Sequence, residues 1–70
     1  MKVEHFTDER IDYICSGRSS LTADERTFLL EDTPRFEECS HSKDELAAMS
    51  DASLMSAAYR IWADYARSMY

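Results

Sequence analysis

The sequence predicts an all-α protein, a small bundle of about four helices with a long C-terminal helix. Three observations support this fold class. Only one glycine and one proline occur in 70 residues, so helix breaks and tight turns are few. Helix-capping residues precede the apolar segments, and the apolar residues near the C-terminus recur at the helical period. No segment has the length and β-branched composition of a strand.

The first helix is predicted at residues 8–16. Thr7 is its N-cap, because Asp8 and Glu9 then lie in the first turn, where the helix dipole favours anions. Gly17 ends the helix, since glycine adopts a positive φ without strain. The predicted buried face consists of Ile11, Ile14 and Cys15.

The second helix begins at Thr22 and Glu25, which have the spacing of a capping box. It ends at Thr33-Pro34, because the residue before a proline is disfavoured in the α region. We expect Thr33 to cap a short third helix that has Pro34 at its first position. The buried side of that helix would contain Phe36 and Cys39.

The last two helical segments also have clear starts. Ser42 and Glu45 form another capping box, which predicts a short segment packed across one end of the bundle. Ser50 begins the longest helix, predicted at about residues 51–68, which organises the bundle. Its apolar positions are Leu54, Met55, Ala58, Ile61, Trp62, Tyr65, Ala66 and Met69. If the Trp62 indole is fully buried, Trp62→Ala costs on the order of 3–5 kcal/mol.

Length and charge restrict the function. A chain of 70 residues forms one domain, here residues 1–70, whose core supplies roughly 3–5 kcal/mol. This leaves little material for a catalytic cleft and its supporting residues. The 14 acidic and 8 basic residues give a net charge of −6. Such a surface repels nucleic acid and anionic membranes and suits a basic protein partner.

The N-terminal region has no apolar run, and it contains the acidic residues Glu4, Asp8, Glu9 and Asp12. We therefore expect neither a signal peptide nor a membrane span, and we expect a cytoplasmic protein.

Four side chains could in principle ligate zinc: His5, Cys15, Cys39 and His41. They lack the paired spacing of a zinc finger, and both cysteines also fit small core positions. The sequence leaves open whether the thiols are free, paired or metal-bound, and we expect no metal and no other cofactor. We expect no enzymatic activity either, because the spacing of Cys39 and His41 does not by itself place a base beside a nucleophile.

Thirteen of the 14 acidic residues lie within residues 1–51, mostly as doublets. The helix dipole explains doublets in first turns, but not those around the Thr33-Pro34 turn, where carboxylates oppose the dipole and repel each other. These carboxylates have two interpretations. They form either a solvated face or a surface that binds basic side chains of a partner. The predicted partner-binding residues are Glu31, Asp32, Glu37 and Glu38, extended by Asp12, Asp24 and Glu25.

The C-terminal helix is rich in aromatic and methionine side chains, namely Met55, Tyr59, Trp62, Tyr65, Met69 and Tyr70. Core packing is one explanation for them. However, Tyr59 and Ile61 flank the main apolar stripe, so the apolar circumference exceeds what one small bundle needs. A second use of this helix, as a seam for a homodimer or for another protein, is the alternative.

The segment SDASLMSAAYRIWADYAR, residues 50–67, is similar in character to small bacteriophage open reading frames. With its size, acidity and lack of a catalytic motif, the chain resembles the accessory proteins that phages use against their hosts, the anti-CRISPR proteins in particular. This resemblance implies a stoichiometric inhibitor that occupies a basic nucleic-acid site on a CRISPR effector complex in the host bacterial cytoplasm. Anti-CRISPR proteins share no common sequence pattern, so the resemblance assigns no functional residue.

The leading hypothesis is a non-catalytic inhibitor that acts as a DNA mimic. Its carboxylates would replace backbone phosphates and bind lysine and arginine in the DNA-binding channel of a host protein. The alternative hypothesis is an interaction module or transcription-linked adaptor that works through the aromatic C-terminal helix. In both hypotheses the partner is a protein, and neither nucleic acid nor membrane is bound directly.

Overall fold

The computed structural model describes residues 6–37 and 39–68, and every regular element within these ranges is helical. The prediction of an all-α bundle with a long last helix is confirmed. The elements are α1 (Asp8–Cys15), α2 (Ala23–Asp32), a 3₁₀ turn (Thr33–Arg35), α3 (Lys43–Ala47) and α4 (Asp51–Ser68).

The first two helices begin at the capping residues that the sequence predicts, and α1 also ends at the predicted glycine. The Thr7 hydroxyl accepts the Arg10 N–H at 3.1 Å. At the start of α2 the Thr22 hydroxyl accepts the Glu25 N–H at 3.1 Å, and the Glu25 carboxylate accepts the Thr22 N–H at 2.8 Å. This is a complete capping box. Gly17 has a φ of 82°, so it provides the left-handed residue that terminates α1.

The same chemistry begins the last two helices. Ser42 and Glu45 form the second capping box, with hydrogen bonds of 3.1 and 3.2 Å. The Ser50 hydroxyl accepts the Ser53 N–H at 3.2 Å at the start of α4. Helix α3 contacts α2 and buries Leu46 completely, so this short segment is part of the core.

The predicted third helix is wrong, because the segment after α2 forms a single 3₁₀ turn. Thr33 has a φ of −57° and a ψ of −43°, so it continues the path of α2 and does not act as a cap. Thr33 is 2% exposed, and its burial outweighs the preference of a residue before proline for extended backbone. Phe36 is extended, with a ψ of 137°, and ends the turn before Cys39.

The core lies between α4 and the elements that pack against it. α1, α2 and the 3₁₀ turn all contact α4, as expected of the helix that organises the bundle. No helix within the described ranges is both long and apolar enough to cross a lipid bilayer. The main cluster of buried side chains consists of Phe6, Ile11, Ile14, Leu29, Leu46, Leu54, Met55 and Ala58.

Arg26 ties α2 to the junction between α3 and α4. Its guanidinium donates to Asp51 Oδ1 at 2.7 Å and to the carbonyl oxygens of Ala47 and Met49 at 3.0 and 2.7 Å. The other carboxylate oxygen of Asp51 accepts the Leu21 N–H at 3.1 Å. The charged side chains are 28% and 31% exposed, so solvent screens this pair less than a fully exposed one.

Arg10 ties α1 to the start of α2 in a similar way. Its guanidinium donates to the Ser19 hydroxyl at 2.6 Å, to the Ser20 carbonyl at 3.1 Å and to the Glu25 carboxylate at 2.7 Å. Both arginines directly follow an acidic doublet in the first turn of a helix. These two residues therefore fix the relative positions of the helices at one end of α2.

Two side chains are less buried than the sequence predicts. Cys15, predicted on the buried face of α1, is exposed, because Ile11 and Ile14 fill the part of α1 that faces the core. Trp62 is partly buried and packs against the main cluster from outside. It lies one turn beyond Ala58, the last α4 residue of that cluster, where neighbouring elements no longer cover the whole indole.

We expect Arg26→Gln to lower the free energy of unfolding by about 2 kcal/mol, because hydrogen bonds to charged groups contribute roughly 1.5–3 kcal/mol. Urea denaturation followed by circular dichroism measures this change. The control is Arg60→Gln, because Arg60 is exposed and forms no ion pair with another described residue. The control should change the free energy by less than about 0.5 kcal/mol. Equal losses in both variants would contradict the role of Arg26.

Leu54→Ala should destabilise the protein more than Trp62→Ala. Leu54 has no solvent exposure, and removing such a side chain costs about 2–5 kcal/mol. Part of the Trp62 indole already contacts water, so we expect its removal to cost only about 1–2 kcal/mol. Thermal and urea denaturation of both variants measure the two losses of unfolding free energy. A larger loss for Trp62→Ala than for Leu54→Ala would show that the indole is a main core residue.

Candidate interaction surface

Three carboxylates surround the turn that follows α2. Glu31 and Asp32 occupy the last turn of α2, and Glu37 follows the 3₁₀ turn. Glu31 and Glu37 are exposed, and Asp32 is partly buried. We refer to these three residues as the acidic corner. Glu38, the fourth predicted member, lies outside the described residues.

The acidic corner is not neutralised by the part of the chain that the structure describes. None of its carboxylates forms an ion pair with residues 6–37 or 39–68. The last turn of α2 contains no basic residue, so Glu31 and Asp32 lie at the negative end of the helix dipole, where carboxylates are disfavoured. The nearest cation along the chain is Arg35 at the end of the 3₁₀ turn.

The other three predicted contact residues are not part of this corner. Asp24 lies in the first turn of α2, and the helix separates it from Glu31 by about 10 Å along its axis. Asp12 is exposed on α1. Glu25 already accepts hydrogen bonds within the fold, so its carboxylate is engaged before any partner arrives.

A groove beside the acidic corner brings an aromatic pair next to a carboxylate. Phe36 and Tyr65 are far apart in sequence, yet their ring centroids are 5.1 Å apart with an interplanar angle of 59°. Arg35, Glu37 and Ser68 complete the lining. We refer to this feature as the Phe36–Tyr65 groove. Glu37 belongs to both the groove and the acidic corner, so charge and aromatic surface are continuous here.

Sequence reasoning missed this groove because both rings were expected in the core. Tyr65 continues the apolar stripe of Leu54 and Ala58, but the main cluster of buried side chains ends before it. Tyr65 is 38% exposed as a result. The contact of α4 with the 3₁₀ turn brings Phe36 beside Tyr65, and no local sequence pattern indicates such a contact between distant parts of the chain.

A second aromatic surface lies on another side of α4. Tyr59 is 40% exposed, and its ring centroid is 6.2 Å from that of the partly buried Trp62. Tyr59 also lines a shallow groove with Asp8 and Asp12 of α1. Ile61, the other residue predicted to flank the apolar stripe, is 6% exposed and belongs to the core, so only Tyr59 of this pair adds exposed surface.

The structure brings together only part of the candidate zinc site. The Cys39 thiol donates to the backbone carbonyl of His41 at 3.3 Å, and Cys15 is a separate, exposed residue of α1. Neither cysteine is in a disulfide. His5 lies outside the described residues. Within residues 6–37 and 39–68, no three His, Cys, Asp or Glu side chains are arranged to hold a metal ion.

The chemical environment of Cys15 does not favour a reactive thiolate. Desolvation, and secondly the negative charge of Asp12, raise the pKa of the Cys15 thiol above its ordinary value of 9.0. A protonated thiol is a poor nucleophile and a poor metal ligand. His41 instead approaches Glu45, with 3.5 Å between Nδ1 and Oε2. The Ser42 backbone hydrogen bond, and then His41, lower the pKa of Glu45.

Comparisons with known protein families, with curated proteins and with solved structures find no match to this chain. The interpretation of its surfaces therefore comes from its own residues. Among these, the acidic corner and the adjoining groove combine carboxylates at a helix C-terminus with an aromatic pair.

Glu25 makes the stability of the fold depend on pH. Its carboxylate is 13% exposed and accepts hydrogen bonds from Arg10 at 2.7 Å and from the Thr22 N–H at 2.8 Å. Burial favours a higher pKa, but these hydrogen bonds and the Arg10 charge outweigh burial and hold the pKa of Glu25 below its ordinary value of 4.5. Since the pKa is lower in the folded state, the stabilisation is present above the unfolded pKa and is lost as the pH falls through the folded value.

We therefore expect the free energy of unfolding to fall between about pH 5 and pH 3, and Glu25→Gln to flatten this part of the profile. Near pH 6 the variant should be less stable than wild type by about 1 kcal/mol, because it lacks the charge that binds Arg10. Urea denaturation at a series of pH values measures both effects. Asp24→Asn, a neutralising change at the exposed neighbour, is the control, and a profile flattened equally by both variants would contradict the assignment to Glu25.

Proposed function

We propose that this protein is a non-catalytic binding protein that covers a basic nucleic-acid-binding surface of a partner protein with its acidic corner. The carboxylates of the corner take the positions of backbone phosphates, and lysine and arginine side chains of the partner bind them. DNA or RNA then has no access to the same surface. In this proposal the protein binds neither nucleic acid nor membrane and acts in the cytoplasm.

The position of the acidic corner at the C-terminal end of α2 is the observation that supports this proposal. Among the other described carboxylates, Glu25 and Asp51 pair with Arg10 and Arg26. Four others that form no ion pair lie in first turns, where the helix dipole favours them: Asp8, Glu9, Asp24 and Asp44. At the corner, exposed carboxylates instead lie at the helix end that disfavours them. Each charge-assisted contact with a partner contributes roughly 1.5–3 kcal/mol before desolvation. A basic partner would thus gain affinity and relieve the unfavourable charge at the same time.

The resemblance to anti-CRISPR proteins suggests a narrower form of the proposal. In that form the partner is a subunit of a CRISPR effector complex, which holds its nucleic acids in a positively charged channel. A 70-residue chain with a net charge of −6 is compatible with a stoichiometric inhibitor of such a channel.

The aromatic residues of α4 support a second candidate function, that of an adaptor or interaction module. Tyr59 and Tyr65 are 40% and 38% exposed, and tyrosine is enriched in the energetically important parts of protein interfaces. In this case another protein or a second copy of the chain packs on α4, and the acidic corner is only a solvated face.

A pair of variants with the same net charge separates the two functions. The corner variant combines Glu31→Gln, Asp32→Asn and Glu37→Gln. The control variant combines Glu9→Gln, Asp44→Asn and Asp64→Asn, all exposed positions on other elements. We expect the corner variant to bind an immobilised lysine-rich peptide at least about tenfold more weakly than the control, since about 1.4 kcal/mol of lost contact energy suffices for that change. Interferometry at low and high salt, with duplex DNA as competitor, measures the affinities.

Each outcome of this experiment has a defined meaning. Equal losses in the two variants would show that binding follows net charge alone and would reject the acidic corner. The adaptor function would be favoured if the affinity is unchanged in both charge variants and at high salt but binding is lost in Tyr59→Ala. Purified CRISPR effector complexes test the narrower form, because wild type but not the corner variant should block their binding of target DNA.

A further inference from the structure

We infer that the Phe36–Tyr65 groove holds a single arginine side chain of the partner, an inference that rests on the proposed function. The guanidinium would stack on the exposed ring of Tyr65 and donate hydrogen bonds to the Glu37 carboxylate. The acidic corner would then attract a basic surface in general, and the groove would select arginine within it.

The aromatic walls of the groove are held in place before a partner binds. The Phe36 N–H donates to the Thr33 carbonyl at 3.2 Å, and the Cys39 N–H donates to the Phe36 carbonyl at 3.1 Å. Tyr65 belongs to α4, and its carbonyl accepts the Ser68 hydroxyl at 2.8 Å. The rings are tilted by 59° and are not stacked face to face. The backbone at both residues is therefore fixed before a partner binds, and the contact between the two rings limits the side-chain ordering that a ligand must impose.

The chemistry of the lining favours arginine over lysine. A guanidinium is planar, so it can lie over an aromatic face and present a pair of N–H groups to one carboxylate. The lysine ammonium is a strongly hydrated point charge and uses such a site less well. Glu37 supplies the carboxylate, since it lines the same groove as Tyr65 and forms no ion pair with another described residue.

Arg35 limits how much positive charge the groove can take. It is exposed and lines the groove together with Glu37. Its charge repels an incoming cation, so the groove suits one arginine held by specific contacts and not a dense run of basic residues. The groove volume of about 380 Å³ is at the small end for ligand pockets, which also fits a single side chain.

Three peptides test this inference on the full chain. Each is an alanine peptide with blocked ends and one central residue: arginine, lysine, or citrulline, which keeps the planar shape of arginine without its charge. Titrations are followed by NMR through the ring signals of Phe36 and Tyr65 and the backbone amide of Glu37. We expect the arginine peptide to bind in the millimolar range, about fivefold more tightly than the lysine peptide, and the citrulline peptide to bind more weakly than both.

Matched variants identify the contacts. Tyr65→Ala and Glu37→Gln should each weaken binding of the arginine peptide by about fivefold or more. Tyr59→Ala and Glu9→Gln are the controls, because Tyr59 is as exposed as Tyr65 and Glu9 is an exposed carboxylate of α1 outside the groove lining and the acidic corner. Arg35→Gln should strengthen binding by about twofold, because it removes the nearby like charge.

The outcomes distinguish this inference from the proposed function. Equal affinity for arginine and lysine, or equal losses in Tyr65→Ala and Tyr59→Ala, would overturn the arginine site while leaving the acidic corner intact. The arginine site is also overturned if the arginine peptide shifts no NMR signal at millimolar concentration while the corner variant still binds the lysine-rich peptide more weakly than the control variant does. Failure of both experiments would reject the proposed function together with the inference.

Discussion

The contact of Arg26 with Asp51 and with the end of α3 is the constraint on which the arrangement of the helices depends. It joins α2, α3 and α4 at one point, through an ion pair of 2.7 Å and hydrogen bonds to the carbonyl oxygens of Ala47 and Met49. A small domain buries few side chains, so each must be placed accurately. Once this junction is set, Leu29 of α2 and Leu46 of α3 meet the buried side of α4.

This junction also makes the two ends of α2 electrostatically different. At the N-terminal end, Arg10 and Arg26 bind Glu25, Asp51 and backbone carbonyls, and the remaining carboxylate, Asp24, lies in the first turn, where the helix dipole favours it. At the C-terminal end, the described part of the chain supplies no ion pair to Glu31, Asp32 or Glu37. One end of α2 therefore uses its charged side chains to stabilise the fold, and the other end carries the carboxylates that the proposed function assigns to a partner.

Helix α4 has a similar division along its length. Its buried residues extend from Leu54 to Ile61, whereas Trp62 is partly exposed at the edge of the core and Tyr65 is exposed. The incompletely covered part of α4 contacts the 3₁₀ turn next to the acidic corner. The carboxylates and the exposed aromatic residue Tyr65, on which the two functional hypotheses depend, therefore lie on one continuous surface.

The sequence by itself determined the helix starts and the length of α4, because capping is decided by side chains within about four residues of each other. It did not determine the conformation of Thr33, since burial against other elements outweighs the local effect of the following proline. It also identified Glu25 as an acidic contact residue without showing that Arg10 already binds it. The tertiary structure alone decided which acidic residues stay unpaired and which aromatic residues meet, because those contacts depend on how separately formed helices pack together.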